Sequence, residues 1–173
     1  TMRKILAFSS IAHLGWMAII IIHNPSLTLL NFYIYSIMTS TVFLTLNTTK
    51  TLKLSTLMIS WTKAPILNTT LTLTLLSLAG LPPLTGFLPK WLIIFDLTKQ
   101  DLTPAATLMA MLSLLGLFFY LRLTYYSTIT LPPNSSNYMK QWRTNKTPNI
   151  SIAILTSLSI LLLPISPMIL MTS

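Results

Sequence analysis

Along its length the chain alternates long apolar runs with short polar gaps. Ile5–Ile22 is 18 residues without a charge, Leu27–Leu46 is 20, Ala105–Leu121 is 17 and Ile150–Met171 is 22. A helix crossing a hydrocarbon core of about 30 Å needs roughly 17–25 residues, so each run is long enough to span. Lipid offers no partner for a backbone N–H or C=O, and the strict alternation of barrel strands is absent, so the runs predict helices. Ile66–Leu97 is apolar too, but Gly80-Leu81-Pro82-Pro83-Leu84-Thr85-Gly86 interrupts it and Lys90 follows the interruption. Its first half, Ile66–Ala79, has 14 residues and is short for a full crossing.

The gaps decide how the interrupted run is threaded, because Lys and Arg collect on the side where the chain is made. One broken span puts Arg3, Lys4, Lys50, Lys53, Lys63, Lys140, Arg143 and Lys146 on one side and Lys99 on the other, with Lys90 and Arg122 inside spans. A hairpin of two short spans divides the loop charges six to three. The expected fold is therefore all-α: a polytopic transmembrane helix bundle of about five spans, one of them a broken helix, with its N-terminus on the positive side. Residues 1–173 read as a single transmembrane domain, and the polar stretch 132–149 as the connection between the last two helices. Trp61, Trp91 and Trp142 fall near run ends or the interruption, where amphipathic rings favour the interface.

Composition sharpens this reading. Hydrophobic residues make up 53% of the chain and charged residues 8%, against about 25% charged in soluble domains. Such a surface excludes a soluble enzyme, a nucleic-acid module and a disordered tail. The net charge of +9 comes from 11 basic residues against Asp96 and Asp101, scattered through the gaps rather than gathered on one face. The implied partner is the lipid bilayer and not nucleic acid. With no Cys, thiolate metal sites, iron–sulfur ligation and disulfides are excluded together. The opening Thr1-Met2-Arg3-Lys4 reads as the start of a C-terminal piece of something longer.

An ionisable group inside a membrane helix costs several kcal/mol, so such residues are where chemistry is sought. His13 lies nine residues after Lys4, about 14 Å along a helix, and shares a face with Ser9 and Ser10. A neutral imidazole there can donate from one nitrogen and accept at the other, as a proton relay requires. It can equally be helix glue satisfied by the Ser hydroxyls. Lys90 follows the Gly- and Pro-rich break, with Pro89 suited to the first turn of a second half-helix. The positive end of that half-helix and desolvation both weigh against the ammonium form, which suits an amine that releases and regains a proton. The plainer alternative is a lysine that snorkels to the headgroups. Arg122 ends its run and is expected to snorkel, Lys4 opens a helix as a topology charge, and Asp96 and Lys99 are spaced for a weak i, i+3 pair.

Arg3-Lys4-Ile5-Leu6-Ala7-Phe8-Ser9-Ser10-Ile11-Ala12-His13-Leu14-Gly15-Trp16 resembles the signature helix of the antiporter-like subunits of respiratory complex I. Leu78-Ala79-Gly80-Leu81-Pro82-Pro83-Leu84-Thr85-Gly86-Phe87-Leu88-Pro89-Lys90-Trp91 resembles the broken-helix segment of one member, and Leu161-Leu162-Leu163-Pro164-Ile165-Ser166-Pro167-Met168 its C-terminus. The resemblance covers essentially the whole chain and matches the C-terminal half of that member. It implies a proton-translocating, multi-pass subunit of the mitochondrial inner membrane, partnered by other complex I membrane subunits. Lys90 and His13 then fall on the proton relay, with lesser roles for Lys4 and for Asp96, which stands where relatives carry a Glu. It also implies that NADH, FMN, iron–sulfur clusters and ubiquinone belong to the whole enzyme, with no cofactor bound by this chain and no complete redox site in it. A cation/proton antiporter subunit and a structural membrane spacer are the alternatives.

Overall fold

The structure, a computed structural model, describes residues 1–51, 53–60, 65–129 and 150–171. The 132–149 connection, Trp61, Lys63, Lys140, Trp142, Arg143 and Lys146 lie outside the described residues. Every regular element among the described residues is helical: α1 (Met2–Ile20), α2 (Pro25–Thr49), α3 (Leu54–Ser60), α4 (Pro65–Ala79), α5 (Phe87–Lys99), α6 (Thr103–Ile129) and α7 (Ile150–Met171). By length and composition, α2 and residues Thr103–Thr128 of α6 are each apolar enough to cross a membrane.

Each expected run is a helix, with two departures. The segment after Leu46, read as connection, contains the short α3, whose Leu57 is fully buried. Its start is fastened by Thr56, whose hydroxyl accepts the Lys53 backbone N–H at 3.2 Å. The second departure concerns α6, which continues past Leu121 to Ile129, so Arg122 does not close a helix as expected. Buried Leu123 and Ser127 give that last stretch an inward face, which carries the helix on. Exposed Arg122 lies along its outside, 3.4 Å from the Tyr126 hydroxyl to which it donates.

The break joins two halves of one traverse. Helix α4 begins beside α3, where Ser60 and the Asn68 amide hydrogen-bond at 2.7 Å. Helix α5 ends at the opposite end of the bundle, where Asp96 accepts a hydrogen bond from Asn24 in the α1–α2 turn. A hairpin would have returned α5 to the start of α4.

Two separate apolar clusters fill the interior. One gathers Met2, Leu6, Met38, Val42, Leu57, Leu71, Leu75, Leu78, Leu88 and Leu123. The other gathers Trp16, Ile20, Ile93, Leu97, Ala106 and Met109 at the α1–α2 turn end. Buried hydroxyls sit among them at little cost because they turn back onto their own helices: Thr41 onto Met38, Thr74 onto Leu71 and Ser77 onto Thr74, at 2.6–2.9 Å.

Candidate functional site

The site is built on how α4 stops. A helix leaves its last four carbonyls without intrahelical partners. At the end of α4, Gly80 takes φ +86°, and its N–H reaches the Ser77 carbonyl while the Leu81 N–H reaches that of Leu76. This left-handed closure needs glycine and satisfies two of the four carbonyls. The two that remain, Leu78 and Ala79, accept from the ammonium of Lys90 at 3.4 and 2.8 Å. Lys90 thus sits in the first turn of α5 and caps the end of α4.

Two glycines make room for this. A Cβ on Gly80 would stand 3.0 Å from both Cδ and Nζ of Lys90, so the lysine stem lies against the bare glycine. A Cβ on Gly86 would stand 1.7 Å from the Ser77 carbonyl oxygen, so the chain folds back onto α4 where only glycine fits. Thr85 donates to the Ser159 carbonyl and so fastens α7 to the break.

This geometry corrects one expectation. Sequence alone set Lys90 against the positive end of α5, but its side chain reaches back to the carbonyl end of α4, where a cation is favoured. The flexible four-carbon stem makes this possible, and the orphan carbonyls provide the reason. Lys90 is half-buried and held inside the bundle rather than extended toward headgroups.

His13 is buried on α1, 7% exposed, between Leu6 of one apolar cluster and Trp16 of the other. The alternative in which Ser9 and Ser10 satisfy His13 is not what forms, because those hydroxyls donate to Leu6 and Ala7 of their own helix at 2.7 Å. A back-bonding hydroxyl one turn away satisfies its own helix first. The imidazole instead packs on Tyr35 of α2, ring centres 4.6 Å apart and planes inclined by 31°. The Tyr35 phenol on α2 lies near Ser10, and that of Tyr120 on α6 near Ser9. Lys90 is near enough for its charge to be felt at His13.

The other two candidates are elsewhere. Lys4 is exposed near the start of α1, away from this cluster. Asp96 does not pair with Lys99, whose ammonium lies 4.5 Å from the centre of the Phe95 ring. Its carboxylate is taken by Asn24, which precedes Pro25 at the start of α2 and makes no side-chain cap of its own. Trp91 lies at the break on the outer surface, stacked on Phe95 at 5.9 Å. Among the described residues no three metal-ligating side chains gather.

Sequence reasoning passed over Asn24, Tyr35 and Asn31. Asn31 and Tyr35 are polar groups within the charge-free run Leu27–Leu46, and an amide in such a run is itself a signal.

Residues 1–118 match the family model for the transmembrane region of NADH:quinone oxidoreductase/Mrp antiporter proteins, and residues 117–170 match that for the C-terminus of NADH dehydrogenase subunit 2. The chain is similar to NADH-ubiquinone oxidoreductase chain 2 of Struthio camelus, 76% identical over 168 residues that cover 97% of this chain and 49% of that protein. The same protein of Coturnix japonica is 74% identical over 167 residues, and that of Gallus gallus 73%, each covering 96% of this chain and 48% of the relative. The chain therefore spans about half the length of the curated relatives it matches.

Proposed function

Because the chain belongs to the NADH:quinone oxidoreductase/Mrp antiporter transmembrane family, we propose that it is a proton-translocating part of respiratory NADH:ubiquinone oxidoreductase, moving protons along a buried polar axis through Lys90 and His13. Its setting is the mitochondrial inner membrane, which it crosses about five times as one transmembrane unit, with other membrane subunits of that complex as partners. The single traverse of α4 and α5 supports this count over a hairpin. In this reading NADH, FMN, iron–sulfur clusters and ubiquinone serve the whole complex through other subunits. The redox step is theirs, and the proton step is this chain's.

The observation that carries the reading is the Lys90 ammonium closed on the carbonyls of Leu78 and Ala79. Protonated, the amine holds the two half-helices together; once it has given up its proton, that charge-assisted clamp weakens. The lysine therefore has two states with different contacts, which is what a distant redox event needs in order to drive it. His13 takes the neighbouring role as donor and acceptor on the same polar level. Lys4, at the outer start of α1, serves as a topology charge. Asp96 serves as an anchor for the α1–α2 turn.

The test is Lys90→Met in the full-length subunit within the assembled complex, with proton pumping measured per NADH oxidised. Reduced pumping at normal assembly supports the role, and unchanged pumping removes Lys90 from the path. The family's name also covers antiporters, so Na⁺/H⁺ exchange by the purified complex without NADH would favour the antiporter reading instead. A spacer predicts that neither Lys90 nor His13 affects transport.

A further inference from the structure

Asn31 lies on α2 between Leu27, packed on one apolar cluster, and Ile34 of the other. His13 lies between Leu6 and Trp16, and Lys90 between Leu88 and Ile93, spanning the same two clusters. The three polar side chains thus come from α1, α2 and α5 at one level of the bundle. Asn31 is 2% exposed, and its amide nitrogen is buried with no hydrogen-bond partner among the described residues. Leaving such a donor unpaired costs about 1–3 kcal/mol, so a buried amide of this kind is normally satisfied.

The hydrogen-bond inventory of this level is incomplete in a matched way. Lys90 has three N–H donors and directs them at two carbonyls. The imidazole of His13 meets Tyr35 through its ring face, and among the described residues neither ring nitrogen has a hydrogen-bond partner. Asn31 offers two donors and an acceptor, and stands one helical turn before Tyr35 on the same face of α2. Asn31 is almost fully enclosed by this chain, and water is the smallest group that can pair its amide. A water molecule, with two donors and two acceptors, needs only 2–4 polar partners.

We propose that Asn31 is a water-holding position, its amide fixing a bound water that joins Lys90 to His13. The Asn31 amide then acts as a positioning residue, orienting the water that passes the proton between amine and imidazole. This rests on the proton-translocation reading for its consequence in pumping, whereas the water site itself does not.

The experiment uses the assembled complex with the full-length subunit. A map that resolves ordered water is expected to show one within about 3.2 Å of the Asn31 side chain. The same water should also lie within reach of Lys90 Nζ or a His13 ring nitrogen, and should be lost in Asn31→Leu. A protein side chain on the Asn31 amide, or no water there, overturns the proposal. Asn31→Leu is further expected to lower pumping per NADH while assembly persists, and Asn31→Ser, which keeps a hydroxyl and leaves room for water, to restore most of it. Pumping lost in Lys90→Met but unchanged in Asn31→Leu overturns the Asn31 link and leaves the Lys90 role standing. Pumping unchanged in Lys90→Met overturns the translocation role instead, and the water site is then decided by the map alone.

Discussion

The Lys90 ammonium donates to the Ala79 carbonyl at 2.8 Å, from the first turn of α5 to the last residue of α4. One side chain therefore performs a structural task and is also the proposed proton carrier. These two roles make separate demands. Capping needs a donor, whereas relaying needs a donor that can lose its proton.

Lys90→Arg separates them. A guanidinium donates to both carbonyls but remains charged at any physiological pH. The complex is expected to assemble with nearly unchanged thermal stability while pumping falls, whereas Lys90→Met loses both. Stability and pumping measured together on the two variants decide between a cap and a relay. Parent-like pumping in Lys90→Arg would make the lysine a cap alone.

At Gly80 the expected outcome is strain and displacement together. Alanine at φ +86° costs about 1–2 kcal/mol, and its Cβ meets the Lys90 stem at 3.0 Å. Gly80→Ala should lower the unfolding temperature of the complex and reduce pumping as well. Gly86→Ala, with 1.7 Å to a carbonyl oxygen, should fail to assemble. Gly116→Ala, with nothing within 4 Å, should behave as the parent.

The hydrogen bond from Asn24 to Asp96 fixes the α1–α2 turn to the end of α5. Hydrogen bonds to charged groups contribute about 1.5–3 kcal/mol. A double-mutant cycle of Asn24→Ala and Asp96→Ala on complex stability should return a coupling of that order. Strictly additive losses would show the contact to be idle in the assembly.

Tyr35→Phe keeps the ring against His13 and drops the hydroxyl that faces Ser10. Tyr35→Leu drops both, and ring pairs of this kind contribute about 0.5–1.5 kcal/mol beyond burial. Pumping is expected to stay near the parent level in Tyr35→Phe and to fall in Tyr35→Leu. Equal behaviour of the two variants would rule out the ring as what positions His13.

Much of this was legible in the sequence because lipid leaves few choices. Apolar runs of spanning length must be helices, and Gly80-Leu81-Pro82-Pro83 can only interrupt one. Lys90 and His13 stood out by the cost of placing them in such runs. Their environments did not, because those depend on contacts between segments. Nothing local says that Lys90 reaches back to Leu78 and Ala79, nor that Ser9 and Ser10 spend their hydroxyls on their own helix. Asp96 shows the same limit. Its sequence neighbour Lys99 was the obvious partner, yet Asn24, 72 residues away, took the carboxylate. Short α3 escaped notice because seven residues with two Ser and one Thr carry too little pattern to register as a helix.

The division of the interior into two apolar clusters has an electrical consequence. Each is a plug of hydrocarbon, one above and one below the tier that holds His13, Asn31 and Lys90. Along the bundle axis a charge on that tier faces an insulator in both directions, while sideways it meets imidazole, phenol and amide. Any charge placed there is better solvated sideways, by those polar groups, than toward either end of the bundle.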